Sequence, residues 1–128
     1  MCNRLLIVDD SATTRAIIKR TIQMAGVSVD MFSEAANGKE ALNLLADKPF
    51  DLVLVDLNMP EMGGLELTQR MQANPSTASI PVVVISAEPN AASLVQVHQD
   101  GIRGYLRKPF TPERIRDLIS PLLGVAHA

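Results

Sequence analysis

Leu5-Leu6-Ile7-Val8-Asp9-Asp10 is an unbroken apolar run that ends in two acidic residues. The pattern returns at Leu52-Val53-Leu54-Val55-Asp56 and at Val82-Val83-Val84-Ile85-Ser86, where an apolar run ends in one polar side chain. Continuous apolar runs, unlike alternating ones, are typical of strands that are covered on both faces. The three runs therefore predict interior strands of a parallel sheet.

Two weaker apolar segments, residues 27–32 and Gly104-Tyr105-Leu106, predict the second and fifth strands. Five segments with helical spacing alternate with the strands. Their apolar faces are marked by Ile18, Thr21, Ile22 and Ala25, by Ala41, Leu42 and Leu45, by Gly64, Leu67, Thr68 and Met71, by Ala91, Leu94, Val95 and His98, and by Ile115, Leu118, Ile119 and Leu122. The fifth helix is predicted to start after Thr111 as N-cap, with Pro112 as its first residue. This alternation predicts an α/β fold, a parallel sheet with helices on both faces.

The composition of the 128-residue chain excludes several classes of function. A net charge of −2 provides no basic field for nucleic acid or an acidic membrane, and 3% aromatic residues without tryptophan leave few platforms for stacking bases. Cys2, the single cysteine, cannot form an internal disulfide and fits a reducing compartment. Because there is no leader and no run of about 18 apolar residues, we expect a single cytoplasmic domain over residues 1–128, with no output domain.

The residues just beyond the predicted strands carry most of the chemistry. Asp9 and Asp10 follow the first strand, Asp56 ends the third, Ser86 follows the fourth and Lys108 follows the fifth. In an open parallel α/β sheet, ligands bind beyond the carboxyl ends of the strands. With the flavodoxin-like strand order 2-1-3-4-5, strands one, three, four and five are neighbours, which would gather these side chains around one pocket.

Three carboxylates in one pocket repel each other, because two unit charges 4 Å apart cost about 4 kcal/mol at an effective dielectric of 20. Either one carboxyl is protonated or a cation lies among them. Short aspartate side chains suit Mg²⁺, which commonly bridges to a phosphate oxygen, whereas Cys2, His98 and His127, the candidate zinc ligands, fall elsewhere. A metal, a nucleophilic aspartate, a hydroxyl and a lysine together suit phosphoryl transfer.

Four short motifs stand in order between residues 8 and 110. They are Val8-Asp9-Asp10-Ser11 with Arg15, Val55-Asp56-Leu57-Asn58-Met59-Pro60 with Gly63-Gly64, Ile80-Pro81 with Ser86-Ala87, and Lys108-Pro109-Phe110. Each motif is weak alone, but together and at this spacing they are highly specific. The chain resembles the receiver domains of two-component response regulators, of the stand-alone kind to which the chemotaxis regulators belong. The resemblance implies a flavodoxin-like (βα)5 doubly wound parallel sheet.

The resemblance also implies how the acidic residues act. Asp56 would be the phosphoacceptor, attacking a phosphohistidine of a sensor histidine kinase, or of a phosphotransfer protein, to give an acyl phosphate. Asp10 and Asp56 would ligate Mg²⁺ directly, Asp9 would ligate it through water, and the backbone carbonyl of Asn58 would complete the set.

Further residues receive roles from the same resemblance. Ser86 would donate its hydroxyl to the phosphoryl group and Lys108 would pair with a phosphoryl oxygen, with the Lys108–Pro109 peptide bond cis. Ser86 and Tyr105 would form the switch. Asn58 and Glu88 would flank the approach of water and tune dephosphorylation.

The output surface is predicted on residues 91–100, the fifth strand and residues 111–123, where an unidentified downstream protein would dock. Exposed side chains there are expected to include Gln96, Arg103, Arg107 and Arg114. The alternative is an output surface on the first helix, around residues 12–19.

Three other functions compete with a switch that catalyses only its own phosphoryl transfer and dephosphorylation. A phosphatase of the haloacid-dehalogenase type requires a second aspartate two residues after the nucleophile, where this chain has Asn58. A flavin or nucleotide carrier needs a glycine- and hydroxyl-rich phosphate loop after the first strand, where Asp9-Asp10 stands. A degenerate receiver that serves as an unphosphorylated scaffold is disfavoured by the intact set of residues.

Overall fold

The computed structural model of the chain describes residues 3–57, 59, 62–87 and 102–123. The strands within these residues are β1 Arg4–Val8, β2 Met31–Ala35, β3 Leu52–Asp56, β4 Val82–Ser86 and β5 Ile102–Arg107, and the helices are α1 Ala12–Met24, α2 Gly38–Asp47, α3 Gly64–Gln72 and α4 Pro112–Ile119. The fourth predicted helix lies outside the described residues, so α4 corresponds to the fifth predicted helix. None of these four helices has the length and apolar character needed to span a bilayer.

All five strands are parallel and lie in the order β2-β1-β3-β4-β5, which confirms the predicted flavodoxin-like fold. In the register of the sheet, Val8 pairs with Val55 and Asp56 pairs with Ile85. The carboxyl ends of β1, β3 and β4 therefore stop at nearly the same level. Residues that follow these strands meet at one edge of the sheet, where the functional side chains are expected.

The core lies on both faces of the sheet, because alternate residues of the three central strands point to opposite sides. On one face the strands pack against buried residues of α2 and α3, which are Ala41, Leu45, Leu67 and Met71. On the other face they pack against buried residues of α1 and α4, which are Ile18, Ile22, Ile115 and Ile119. Burial of each large aliphatic side chain contributes about 1.5–3 kcal/mol, so the strand ends that hold the site are firmly anchored.

N-caps place α1 and α4 directly after the functional residues. The sequence predicts the cap of α4. Ser11 is the N-cap of α1, and its hydroxyl accepts a hydrogen bond from the Thr14 amide at 3.2 Å. Thr111 caps α4 in the same way, through the Arg114 amide at 3.2 Å, and Pro112 is the first helical residue. Each cap sets the point at which the chain leaves the carboxyl edge of the sheet.

The second strand starts four residues later than predicted, at Met31 rather than residue 27. β2 is an edge strand and is only partly buried, so its sequence lacks the continuous apolar run of the central strands. Val27 and Val29 precede the strand and pack against the core on the α1 side, which explains why their segment resembled a strand. The shift places Glu34 within β2.

Candidate functional site

Asp9, Asp10 and Asp56 meet at the carboxyl edge of the sheet, as the sequence predicts. One carboxylate oxygen from each residue lies within 4.8 Å of the other two. Asp9 is buried, Asp56 is half-buried and Asp10 is exposed. The three side chains thus form a cluster that is open to solvent on the side of Asp10.

Lys108 brings a positive charge to this cluster. Its Nζ lies 3.7 Å from Oδ2 of Asp9 and 3.9 Å from Oδ2 of Asp56. The backbone amide of Lys108 donates to the carbonyl oxygen of Ser86 at 2.9 Å, and the Lys108–Pro109 peptide bond is cis, as the resemblance implies. With one ammonium group against three carboxylates, the cluster retains a net negative charge when all of them are ionised.

Asp9 is held by backbone contacts, and one of its carboxylate oxygens faces Lys108. Its amide donates to the Ala35 carbonyl at 3.0 Å, and its Oδ1 accepts from the Ser11 amide at 2.9 Å. Its Oδ2 is buried and has no hydrogen-bond partner among the described residues. Since buried polar atoms are nearly always hydrogen-bonded or bound to an ion, and a hard cation prefers carboxylate oxygens, this oxygen and its two carboxylate neighbours fit Mg²⁺.

Ser86 and Tyr105 lie on neighbouring strands beside the cluster. Ser86 ends β4 and is buried, whereas Tyr105 in β5 is half-buried. The hydroxyl oxygen of Tyr105 lies 3.5 Å from the backbone carbonyl oxygen of Ser86. The predicted switch pair is therefore brought together, at a distance longer than that of a strong hydrogen bond.

Two glycines let the chain pack tightly against the end of β3. The Gly64 amide donates to the Leu57 carbonyl at 3.2 Å. A Cβ atom at Gly63 would lie 2.7 Å from the Leu57 oxygen, and one at Gly64 would lie 3.1 Å from the Asp56 oxygen. Because neither backbone oxygen can move aside easily, glycine at these positions permits α3 to begin directly beside the Asp56 backbone.

Several predicted residues fall outside the described part of the chain. Asn58, Glu88 and Gln96 are among them, as is the whole segment 91–100. On the described part of the predicted output surface, the side chains of Arg103, Arg107 and Arg114 are exposed, as expected.

Glu34 lies beside the site, and the sequence reasoning missed it. It is the fourth residue of β2 and forms ion pairs with Arg15 at 2.9 Å and Lys19 at 2.7 Å, both in α1. The hydrogen bonds from these two residues lower the pKa of the Glu34 carboxyl below its ordinary value, and the bond from Lys19 has the larger effect. The available signal was an acidic residue at the carboxyl end of a strand. The second strand was predicted to end at residue 32, so Glu34 fell outside it, whereas β2 includes Glu34.

Comparison with known proteins agrees with this geometry. The model of the response regulator receiver domain family matches residues 5–120. A chemotaxis protein CheY homolog of Campylobacter jejuni is 36% identical over 122 residues, which cover 94% of this chain and 92% of that protein. Chemotaxis protein CheY1 of Helicobacter pylori is 37% identical over 122 residues, which cover 94% and 97%.

Solved structures show the same likeness. The Vibrio cholerae chemotaxis protein CheY4 superposes with a TM-score of 0.80 at 30% identity and covers 95% of this chain and 99% of that one. A putative response regulator from Chloroflexus aurantiacus gives a TM-score of 0.85 at 27% identity, with 97% and 99% covered. The chain belongs to the family of response regulator receiver domains.

Proposed function

We propose that this receiver domain is switched by phosphorylation of Asp56. Receiver domains of CheY-like response regulators are phosphate-accepting signalling proteins. The observation that carries the proposal is the position of Asp56, which is half-buried at the end of the central strand β3, clustered with Asp9 and Asp10, and 3.9 Å from the Lys108 ammonium group.

The chemistry proposed is a transfer between two side chains. A carboxylate oxygen of Asp56 attacks the phosphorus of a phosphohistidine on a sensor histidine kinase or a phosphotransfer protein, and the P–N bond breaks. The electron pair of that bond stays on the imidazole, which takes up a proton, and Asp56 becomes an acyl phosphate. The chain acts on no other substrate in this scheme, so its only catalysis is its own phosphorylation and dephosphorylation.

Asp9, Asp10 and Asp56 are the described residues that would hold Mg²⁺, with the backbone carbonyl of Asn58 as a further proposed ligand. When bound, Mg²⁺ would offset the negative charge of the three carboxylates and of the incoming phosphoryl oxygens. Asp9 contributes the buried Oδ2 that has no hydrogen-bond partner among the described residues. This oxygen supports the proposal independently of the family.

Lys108 and Ser86 would bind the new phosphoryl group. Lys108 Nζ already lies within 4 Å of an oxygen of Asp56, and Ser86 ends the strand next to β3. Charge-assisted hydrogen bonds from an ammonium or hydroxyl group to a phosphate are shorter and stronger than neutral ones. Movement of the Ser86 side chain toward the phosphate would alter the space beside Tyr105. Asn58 and Glu88 remain our proposed determinants of the acyl-phosphate lifetime.

The proposed output surface combines residues 91–100, β5 and residues 111–123. Tyr105 links this surface to the site, because its hydroxyl reaches the Ser86 backbone from the strand that carries the exposed Arg103 and Arg107. Amide chemical shifts with a phosphate mimic test the proposal. Shifts in β5 and α4 are expected, whereas shifts confined to residues 12–19 would move the output surface to α1.

Mass spectrometry after incubation with acetyl phosphate and Mg²⁺ tests the phosphoacceptor. The parent chain is expected to gain one phosphoryl group, and Asp56→Asn to gain none. Asp47→Asn is the matched control, because Asp47 is an exposed residue at the end of α2, away from the cluster, and should be labelled like the parent. Labelling that persists in Asp56→Asn would refute the assignment.

A further inference from the structure

Arg15 and Lys19 of α1 both contact the carboxylate of Glu34 in β2. Arg15 Nε donates to Oε1 at 2.9 Å, and Lys19 Nζ donates to Oε2 at 2.7 Å. Together they lower the pKa of Glu34 from 4.5, so the carboxylate is charged at neutral pH. Arg15 is the most buried of the three, with 15% of its side chain exposed against about a third for the other two.

Arg15 makes a second contact, which reaches the acidic cluster. Its Nη1 donates to the backbone carbonyl of Asp9. This carbonyl belongs to the same planar peptide unit as the amide of Asp10. On its other side, the Asp9 amide is bound to the Ala35 carbonyl at 3.0 Å. The backbone is therefore held on both sides of Asp9, and the Arg15 contact falls on the peptide unit that leads into Asp10.

We propose that Arg15, oriented by Glu34, is a positioning residue that holds Asp10 in the geometry needed to bind a divalent cation. The proposal rests on the cation site of the proposed function. Asp9 is fixed by burial, but Asp10 is exposed, so packing does little to restrict its side chain. Partners that orient a metal ligand typically change metal affinity by about 10- to 100-fold when they are removed.

Electrostatics alone predicts the opposite effect. Arg15 is a cation beside a cation site, so its removal would tighten Mg²⁺ binding if its charge were all that mattered. Positioning predicts weaker binding, and the sign of the change separates the two. Lys19→Ala is the matched control. Lys19 carries the same charge as Arg15 and pairs with the same carboxylate of Glu34, but no described contact joins it to Asp9.

The experiment is isothermal titration of the full chain with MgCl₂, together with urea unfolding to show that each variant is folded. Arg15→Ala is expected to bind Mg²⁺ about tenfold more weakly than the parent, and Lys19→Ala as tightly or slightly more tightly. Arg15→Lys keeps the charge but has a single donor nitrogen in place of Nε and Nη1, which contact Glu34 and the Asp9 carbonyl separately. Its affinity for Mg²⁺ should therefore fall between those of Arg15→Ala and the parent.

A second pair keeps the proposal testable if Arg15→Ala does not fold. Glu34→Gln and Glu34→Ala remove the same charge, but the glutamine oxygen still accepts from Arg15, so Glu34→Gln should bind Mg²⁺ more tightly than Glu34→Ala. Equal affinities of these two variants would contradict the proposal.

Two further results would overturn it. If Arg15→Ala binds Mg²⁺ as tightly as the parent while Asp10→Asn binds it weakly, Arg15 has no positioning role, although the cation site itself is supported. A parent chain that takes up no Mg²⁺ would overturn the cation site and the positioning role together.

Discussion

Asp10→Asn is expected to stabilise the protein without Mg²⁺ and to destabilise it relative to the parent with Mg²⁺. The substitution removes one of three clustered negative charges and leaves the size of the side chain unchanged. Without a cation it relieves repulsion from Asp9 and Asp56. With Mg²⁺ it replaces a proposed direct carboxylate ligand with a neutral amide oxygen, which binds the cation more weakly.

The magnitudes follow from the geometry of the cluster. The carboxylate oxygens of the cluster lie within 4.8 Å of one another, and two charges at that limit repel by about 3.5 kcal/mol at an effective dielectric of 20 and by about 1 kcal/mol in water. Asp10 is exposed, so the lower figure applies to each of its two pairs, and screening by dissolved salt reduces the sum. We expect a gain of about 1 kcal/mol in the free energy of unfolding without Mg²⁺.

Mg²⁺ reverses this order. At a concentration of 100 times its Kd, a ligand stabilises the folded state by about 2.7 kcal/mol, whereas a 100-fold loss of affinity leaves only about 0.4 kcal/mol. The parent should then exceed Asp10→Asn by about 1 kcal/mol. The two stability curves are therefore expected to cross as Mg²⁺ is added.

Urea unfolding followed by circular dichroism measures both states, first with a chelator and then with Mg²⁺. This signal is preferable to fluorescence, because the chain has one tyrosine and no tryptophan. Asp47→Asn, which changes the net charge equally, should keep the Mg²⁺ response of the parent. An Asp10→Asn variant that is no more stable than the parent without Mg²⁺ would contradict the repulsion within the cluster. One that gains as much stability from Mg²⁺ as the parent would contradict the role of Asp10 as a ligand.

Two further predictions concern Glu34 and Gly38. The pKa of Glu34 is lowered by Lys19 and Arg15, so its ion pairs stabilise the fold above pH 4.5, its ordinary pKa, and lose this effect as the pH falls through the lowered value. The difference in unfolding free energy between the parent and Glu34→Gln, measured by urea titration across pH, should therefore shrink in acid; a difference that grows in acid would contradict this. Gly38→Ala should destabilise the protein by about 1–3 kcal/mol, because the new Cβ would lie 2.5 Å from the Met62 Cβ. This clash is expected to outweigh the preference of alanine for helix, which is about 1 kcal/mol. A rise in the thermal unfolding midpoint of Gly38→Ala would show that Met62 moves aside at no cost.

The central part of the fold could be predicted because burial on both faces leaves a local signal. Every residue of β4 is buried, and so is all of β3 except Asp56, so these strands are unbroken apolar runs in the sequence. Parallel strands that end at one level also explain why Asp56 and Ser86 could be placed at one edge. Helix caps were predictable for a related reason, since Thr111 bonds an amide only three residues away.

The edge of the sheet could not be predicted in the same way. β2 has a neighbour on one side only and stays partly exposed, so the hydrophobic pattern does not distinguish it from Val27 and Val29, which pack as a loop. The bounds of an edge strand are set by its register against the adjacent strand. That register, with Val8 opposite Ala35, is a long-range property.

The sequence by itself determined the class of the fold, the central strands and which polar residues end them, because period, burial and capping act over a few neighbouring residues. The tertiary structure alone decided which atoms of the site are paired with another side chain or with the backbone. The contact of Arg15 with both Glu34 and the Asp9 carbonyl, and the distance of 3.7 Å between Lys108 and Asp9, join residues on separate elements. Such contacts depend on strand register and helix packing, which no local pattern records, and they leave one buried oxygen of Asp9 without a hydrogen-bond partner among the described residues.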